Sequence, residues 1–399
     1  MNPSPDLLAP PAAPRHTYLD WLRLLCIAGV LFFHCAMPFA AGETWHIRNA
    51  EGSELMLEFI FFLHLFRMPL LFFISGAVSY FMMQRRSSWS FIGLRVRRLL
   101  LPLLFGMLVV VPPQVYMERL TQGFQGSFWS FYPSVFEGVP YPQGSLSWHH
   151  LWFIAYLFLY DVLFAPGFAW LAGPGGQALR SRLAGLARGH RVYLLALPGV
   201  LWYAGTARSW PQTNDLRHDG GFFVYWLLFV LVGFLCVAQP LLVASLERLR
   251  RHSLTVGFLT ILFLNYLRWN DLDLGSTPPL LSPLAAWAWV FAAVGYGRRY
   301  LQRPHRLLAY LNSAAYPFYI LHQTVIVVLA YYVVKVPNES ILGKYLFLVL
   351  STLFVTMGIF HLLLRPLDPL RLLFGMKPRG ELKIKGEELK AEKPEWAYS

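Results

Sequence analysis

The sequence predicts an all-α protein that crosses a membrane about ten times, with both termini in the cytoplasm. Of its 399 residues, 56% are hydrophobic and only 14% are charged, whereas soluble domains carry about a quarter charged residues. Its apolar runs approach 20 residues and do not alternate with polar positions, which is typical of membrane helices rather than barrel strands. These observations exclude a soluble enzyme and a disordered chain.

Apolar segments separated by polar or Gly/Pro-rich loops define the predicted helices. In chain order they are 19–40, 55–83, 98–116, 150–171, 191–206, 221–242, 254–268, 280–297, 311–334 and 343–364. The fifth and seventh segments are short, and the long loop before the fourth leaves room for a re-entrant piece.

The basic residues alternate between loops, which indicates the orientation of the chain. The surplus of 34 Lys and Arg over 21 Asp and Glu is concentrated after segments 2, 4, 6 and 8. The clusters are Arg85, Arg86, Arg95, Arg97 and Arg98; Arg180, Arg182, Arg188 and Arg191; Arg248, Arg250 and Arg251; and Arg298, Arg299, Arg303 and Arg306. Cytoplasmic loops carry such an excess, so we expect membrane lipid and not nucleic acid as the partner of these charges. The predicted regions are a cytoplasmic segment at 1–17, a transmembrane domain at 18–366 and a charged cytoplasmic tail at 367–399.

Segment 1 carries two polar side chains that share one face. His34 follows Arg23 by eleven positions, which is about three helical turns or ~16 Å. Ionisable groups inside a span are costly and usually functional. Arg23 is equally well explained as a side chain that extends to the membrane surface, whereas the deeper His34 favours a functional role. Imidazole is suited to accept a proton near neutral pH, so we expect His34 to be a general base.

Segment 2 places His64 and Arg67 on one face. A buried Arg67 requires an anionic partner in the protein or in a ligand. The small pair Ser75-Gly76 allows close approach of another helix. Trp45 and His46 precede the segment at the outer surface, where an ordinary interfacial role is the simpler interpretation.

Further polar groups occur in segments 3, 4 and 9. Arg95 and Arg98 lie on one face at the cytoplasmic entrance, where they either anchor the helix or bind phosphates. The remaining candidates are His149, His150 and Trp152 at the start of segment 4, and Asn312, Tyr316, Tyr319 and His322 along one stripe of segment 9. The spacing of the histidines matches no metal-binding motif, so we expect no metal.

Four motifs in this order resemble the membrane acyltransferase-3 family over about residues 15–377. They are Arg23, ten residues, His34; Phe73-Ile74-Ser75-Gly76; Arg95-Val96-Arg97-Arg98; and His150-Leu151-Trp152-Phe153. Further stretches are similar to a branch of that family associated with adding succinyl groups to periplasmic glucans. They are Thr44-Trp45-His46, Phe66-Arg67-Met68, the stretch 312–322 and Phe374-Gly375-Met376-Lys377-Pro378. Gln323 departs from the branch, where a second histidine is expected.

The resemblance implies a bacterial inner-membrane O-acyltransferase. Such an enzyme moves an acyl group from cytoplasmic acyl-CoA, here succinyl-CoA or acetyl-CoA, to a hydroxyl of an extracytoplasmic glycan. The family's arginine and histidine map onto Arg23 and His34, and its basic RxxR element onto Arg95 and Arg98. From the residues themselves we further expect three sets of roles. They are catalytic for Arg23, His34, His150 and His322; CoA-binding for Arg95, Arg97 and Arg98; and substrate-binding for Trp45, His46, His64, Arg67, Trp152 and Tyr319. A homo-oligomer is left open. The alternative is a transporter or flippase for an acyl donor or a lipid-linked sugar, which shares the helices and the buried polar groups.

Overall fold

The computed structural model describes residues 16–272 and 279–379, and about three quarters of the structure is helical. Within these two ranges there is no strand, and the only bridges pair Ala40 with Ser53 and Pro140 with Leu146. The all-α prediction is therefore confirmed. Most of the predicted N-terminal segment and the end of the predicted charged tail lie outside the described residues.

The helices are numbered in chain order. The first eight are α1 (Thr17–Ala36), α2 (Glu54–Met83), α3 (Ser88–Arg95), α4 (Leu101–Phe105), α5 (Pro112–Thr121), α6 (Phe128–Phe131), α7 (Trp152–Leu163) and α8 (Ala165–Ala172). The others are α9 (Gln177–Leu183), α10 (Leu197–Thr206), α11 (Gly220–Ala238), α12 (Pro240–Arg248), α13 (Arg250–Trp269), α14 (Leu281–Tyr300), α15 (Arg306–Val333), α16 (Ile341–Ile359) and α17 (Asp368–Leu373). Two π-helical turns join α3, α4 and α5 into one rod, and a third extends α16.

Six helical stretches of the described chain are long and apolar enough to cross a membrane. They are Thr17–Phe39, Glu54–Met83, Ser88–Thr121, Gly220–Ala238, Arg306–Val333 and Ile341–Leu364. The pair α7 and α8, bent by 63°, makes a seventh if it forms one span. Predicted segments 5, 7 and 8 correspond to α10, α13 and α14, of which α10 has only 10 residues, while α13 and α14 are less apolar and carry arginines at their ends. The count of ten spans therefore stays a prediction.

Glycines allow α2 and α11 to pack backbone against backbone. A Cβ atom added at Gly76 would lie 1.9 Å from the carbonyl oxygen of Val230, and one added at Gly233 would lie 1.9 Å from the carbonyl oxygen of Phe73. No side chain fits in either place. The close helix approach predicted at Ser75-Gly76 is confirmed.

Helices α1 and α15 lie side by side and run in the same direction. Arg23 donates to the Oδ1 atom of Asn312 at 2.8 Å, and further along both helices the rings of His34 and His322 are bonded at 2.9 Å. We name the end of the bundle at Arg23 the basic end, and the end that the chain reaches after His34 the histidine end.

Helices α13 and α14 connect these two ends. At the end of α13, Arg268 and Trp269 both donate to Glu58 near the start of α2. At the end of α14, the Nε atom of Arg298 lies 3.1 Å from a carboxylate oxygen of Glu247 in α12. Since α2 starts at the histidine end, α13 runs toward that end and α14 returns from it.

Candidate functional site

The two histidines between α1 and α15 are linked in a chain of hydrogen bonds that fixes their protonation. The Nδ1 atom of His322 lies 2.7 Å from the carbonyl oxygen of Tyr319. A carbonyl only accepts, so this nitrogen donates, and the Nε2 atom of a neutral His322 carries a lone pair. The Nδ1 atom of His34 lies 2.9 Å from that Nε2 atom and therefore donates to it. In the neutral pair the remaining lone pair is on the Nε2 atom of His34, which can accept a proton.

His150 stands beside this pair and ties α7 to α15. Its Nε2 atom donates to the carbonyl of Ile320 at 2.9 Å, and its ring lies 5.2 Å from the ring of His322, edge to face. The hydroxyl of Tyr319 donates to the carbonyl of His150. The Nδ1 atom of His150 is buried and has no hydrogen-bond partner within residues 16–272 and 279–379. His150 thus positions α15 with one nitrogen and presents an acceptor with the other.

Arg67 is a buried cation close to the histidine pair. Its guanidinium lies over the ring of Phe33 at 3.3 Å from the centroid, and Phe33 packs against His34. The side chain is 6% exposed, and its Nε and Nη1 atoms have no partner among the residues that the structure describes. A buried arginine with unsatisfied donors favours an anionic ligand.

A cavity of about 440 Å³ opens at the basic end and reaches inward to Tyr319. The lining contains five basic residues and, among the described residues, no acidic one: Arg23, Arg95, Arg98, Arg371 and Lys377. The buried hydroxyl of Tyr316 also faces it and has no partner in the described chain. Gly375 closes one wall at a φ of +66°, where an added Cβ atom would lie 2.7 Å from the Tyr316 ring. The cavity suits an anionic ligand with an extended arm.

The two outer arginines of the predicted Arg95–Arg98 element have different surroundings. The Nε atom of Arg95 lies 2.8 Å from the Oδ2 atom of Asp161, and its Nη2 atom donates to Ser79 at 2.8 Å. Ser79 in turn donates to Asp161 at 3.0 Å. Arg98 lines the cavity wall, and Arg97 is exposed. The charge of Arg95 is therefore largely matched inside the protein, which leaves Arg98 as the better placed of the two for a ligand.

A second polar cluster lies at the histidine end, around His46. Its Nδ1 atom lies 2.5 Å from the Oε2 atom of Glu118, and the hydroxyl of Tyr141 donates to the Oε1 atom of Glu118 at 2.8 Å. Burial and the Glu118 carboxylate raise the pKa of Tyr141, so this hydroxyl stays a donor. The ring of His149 lies 4.6 Å from that of His46. One ligand atom each from His46, Glu118 and His149 lies within 4.8 Å of the others, a spacing that could hold a metal ion.

The remaining predicted substrate-binding residues are dispersed. Trp45 stacks between His34 and His46, with its ring 6.4 Å from the first and 5.2 Å from the second. Gln323, which departs from the branch pattern, lies with its amide nitrogen 3.4 Å from the Nε2 atom of His46. His64 is exposed. Trp152 packs into the aromatic core on Phe72, Tyr156 and Trp226, away from the histidine pair.

Two acids in these clusters were missed by sequence reasoning. Asp161 is an isolated acid within the apolar run of α7, and Glu118 follows the apolar part of the α3–α5 rod. Each is buried, at 0% and 7% exposed. An acidic side chain in an apolar segment is costly unless it is paired with a base. This cost could have predicted from the sequence that Asp161 and Glu118 each have a basic partner.

Comparison with known proteins identifies the family of this chain. The acyltransferase-3 family, described as an acyltransferase domain, matches residues 16–361. Glucans biosynthesis protein C from Escherichia coli strain K12 and that from strain SMS-3-5 / SECEC are each 31% identical to this chain over 170 residues, which is 41% of the chain and 40% of the relative. The aligned part thus spans less than half of these relatives' own length. No solved structure matches the chain.

The family match covers most of the chain, including both helices of the histidine pair and the Arg95–Arg98 element. The resemblance expected from the sequence is confirmed. With its apolar helices and buried polar stripe, the chain belongs to the acyltransferase-3 family of membrane acyltransferases.

Proposed function

We propose that this protein transfers a succinyl or acetyl group from cytoplasmic acyl-CoA to a hydroxyl of a periplasmic glucan or related glycan, in the bacterial inner membrane. The observation that carries the proposal is the hydrogen-bond chain from the Tyr319 carbonyl through His322 to His34. This chain leaves the lone pair on the Nε2 atom of His34 as a proton acceptor. His34 lies between the arginine-lined cavity at the basic end and the polar, aromatic cluster at the histidine end. Acyl transfer between two compartments requires this arrangement.

The orientation is part of the proposal. We infer that the basic end and both termini are in the cytoplasm, because the arginine clusters at that end follow the positive-inside rule. We infer ten crossings, because the contacts of α13 and α14 carry the chain to the histidine end and back. The parallel packing of α1 and α15 agrees with ten spans, in which they are the first and the ninth, and with six spans, in which they are the first and the fifth. In a seven-span arrangement they would be the first and the sixth, and therefore antiparallel.

The donor enters at the basic end. The phosphates of CoA carry several negative charges, and the cavity lined by Arg98, Arg371 and Lys377 offers cations to bind them. The pantetheine arm then extends toward Tyr319, at the inner end of the cavity. Arg23, which is held by Asp20 at 3.0 Å and by Asn312, lines the same passage.

The reaction forms an ester and releases CoA. The Nε2 atom of His34 takes the proton of the acceptor hydroxyl as the oxygen attacks the thioester carbonyl carbon. The carbon–sulfur bond breaks, and the CoA thiolate receives the proton from His34. His322 stabilises the imidazolium formed at His34, because its Nε2 lone pair accepts the Nδ1 proton of that ring. The acceptor approaches from the histidine end, where Trp45 and His46 offer a stacking face and a polar edge.

Arg67 is proposed to select the acyl group. A succinyl chain ends in a carboxylate that must enter a low-dielectric site with its thioester, and such a charge needs a paired cation. The two unpartnered nitrogens of Arg67 can form the bidentate contact that a carboxylate prefers.

Proteoliposomes provide the test. Purified protein is reconstituted with labelled succinyl-CoA or acetyl-CoA inside the vesicles and an oligoglucan outside. We expect label to become covalently attached to the sugar, and we expect His34→Asn to lower this rate by about 10²- to 10⁴-fold, the usual contribution of a general base. His218→Asn is the matched control, because His218 is exposed and bonded only to its neighbour Asp215 among the described contacts.

Two results would contradict the proposal. Label that crosses the vesicle as intact acyl-CoA, without reaching the sugar, would establish a transporter. Transfer that His34→Asn leaves at the wild-type rate, in protein that elutes as a single species, would remove His34 as the base.

A further inference from the structure

We propose that His46, Glu118 and His149 form a binding site for a divalent transition-metal ion of the zinc class at the histidine end. The site joins three segments of the chain: the loop after α1, the end of α5 and the turn before α7. This inference does not depend on the acyl-transfer proposal, because it concerns ion binding alone.

The outer atoms of two of the three side chains, His149 and Glu118, are already held by neighbours. The Nδ1 atom of His149 lies 2.7 Å from the hydroxyl of Ser147. The Oε1 atom of Glu118 accepts from Tyr141 at 2.8 Å and from Gln122 at 3.1 Å. Hydrogen bonds of this kind, on the atom that faces away from the ion, orient the ligands of protein metal sites.

The atoms that remain converge on one point. They are the Nδ1 atom of His46, the Oε2 atom of Glu118 and the Nε2 atom of His149. The first two are 2.5 Å apart. The third is buried and has no hydrogen-bond partner in the described part of the chain, which is costly for a polar atom that no ligand satisfies. One ligand atom from each residue lies within 4.8 Å of the others.

The donor set indicates the kind of ion. Two imidazoles and one carboxylate favour Zn²⁺ and neighbouring first-row metals over Mg²⁺ or Ca²⁺, which prefer oxygen alone. Three protein ligands leave a fourth position of a tetrahedral zinc ion open to water or a hydroxyl. Binding at the Nδ1 atom of His46 moves the ring proton to its Nε2 atom, which faces the side-chain amide nitrogen of Gln323. Two donors cannot bond, so the Gln323 amide must turn to present its oxygen to this proton. The ion then replaces the Nδ1 proton as the partner of Glu118.

The ligands are widely separated along the chain, which explains why sequence spacing predicted no metal. Position 118 lies 72 residues after position 46, and His149 follows a long aromatic loop. His149 also has a φ of +41°, a conformation in which asparagine is tolerated better than most residues. His149→Asn is therefore the variant that removes the ligand with the least change to the backbone.

Metal analysis of the full-length protein tests the proposal. The protein is purified in detergent, its affinity tag is removed, and it is stripped with chelator, reloaded with Zn²⁺ and dialysed. We expect one Zn²⁺ per chain by mass spectrometry, and with Co²⁺ the visible absorption bands of a nitrogen- and oxygen-ligated ion. Glu118→Gln and His149→Asn should each weaken Zn²⁺ binding by at least the ~100-fold that loss of an outer hydrogen-bond partner can cost.

The control is His218→Asn, which alters another histidine–carboxylate pair, with Asp215 at 2.6 Å. It should bind Zn²⁺ as the wild type does. Zn²⁺ should also raise the unfolding temperature of the wild type and leave that of Glu118→Gln unchanged. Wild-type protein that retains no Zn²⁺ and gives no Co²⁺ bands would overturn the proposal whether or not the variants fold, as would a folded His149→Asn variant with wild-type affinity.

Discussion

Replacing Asp161 with leucine should leave Arg95 as an uncompensated charge inside the bundle. The two side chains are 0% and 7% exposed, and their charged atoms are 2.8 Å apart. Removing one partner of such a pair costs about 3–5 kcal/mol, because the other charge stays buried without compensation. We expect Asp161→Leu and Arg95→Met each to lower the free energy of unfolding by about that amount.

The double variant Arg95→Met/Asp161→Leu should be more stable than either single variant. Replacing a buried ion pair by apolar side chains of similar size is often neutral or stabilising. Ser79 loses both partners in this variant, at a cost of about 1 kcal/mol, although its hydroxyl can bond to a carbonyl one turn back in α2. A double-mutant cycle should therefore give a coupling energy of several kcal/mol.

The assay combines unfolding with donor binding. Thermal or denaturant unfolding in detergent micelles measures stability, and calorimetric titration with acyl-CoA measures affinity for Arg95→Met and Arg98→Met. Both side chains line the cavity, but Arg95 is paired with Asp161. We therefore expect Arg98→Met to weaken donor binding and Arg95→Met mainly to lower stability. A stable Arg95→Met protein that loses as much donor affinity as Arg98→Met would refute this reasoning and make Arg95 a phosphate ligand.

Three further outcomes are expected. His322→Ala removes the acceptor that fixes the tautomer of His34, so acyl transfer in proteoliposomes should fall about 100-fold or more, with unchanged acyl-CoA affinity; an unchanged rate would contradict the hydrogen-bond chain. Gly76→Ala places a methyl group against the backbone of α11 and should lower the free energy of unfolding by at least the ~1–3 kcal/mol typical of overpacking. The control Gly358→Ala, whose methyl group meets nothing within 4 Å, should unfold like the wild type. Arg67→Met should reduce succinyl transfer more than acetyl transfer, measured as the ratio of kcat/KM for the two donors; an unchanged ratio would remove Arg67 from acyl selection.

The sequence predicted the polar stripe on α1 because helical periodicity alone aligns Arg23 with His34. The same periodicity aligned Asn312 with His322 on α15. It could not predict that these two stripes face each other, since 289 and 288 residues separate the bonded pairs. Their pairing depends on the order in which the helices pack, which hydrophobic composition does not encode.

Arg95 and Arg98 show a different limit of sequence reasoning. Three positions apart, they share a face of a helix, and their local sequence gives no reason to separate them. The difference comes from Asp161 in α7, which lies beside Arg95. Helices α13 and α14 give a second example. Both were predicted as apolar segments, yet they are not apolar enough to be counted among the six candidate spans. Their contacts with Glu58 and Glu247 indicate that they connect the two ends of the bundle.

Tyr319 connects the cavity to the histidine pair through three of its groups. Its side chain lines the inner end of the cavity, its carbonyl accepts from His322, and its hydroxyl donates to the carbonyl of His150. The Tyr319 carbonyl fixes the tautomer of His322, and His322 fixes that of His34. A donor that moves Tyr319 would therefore also act on both histidines. In the proposed reaction, we therefore expect donor binding and the availability of the lone pair on His34 to be coupled through Tyr319.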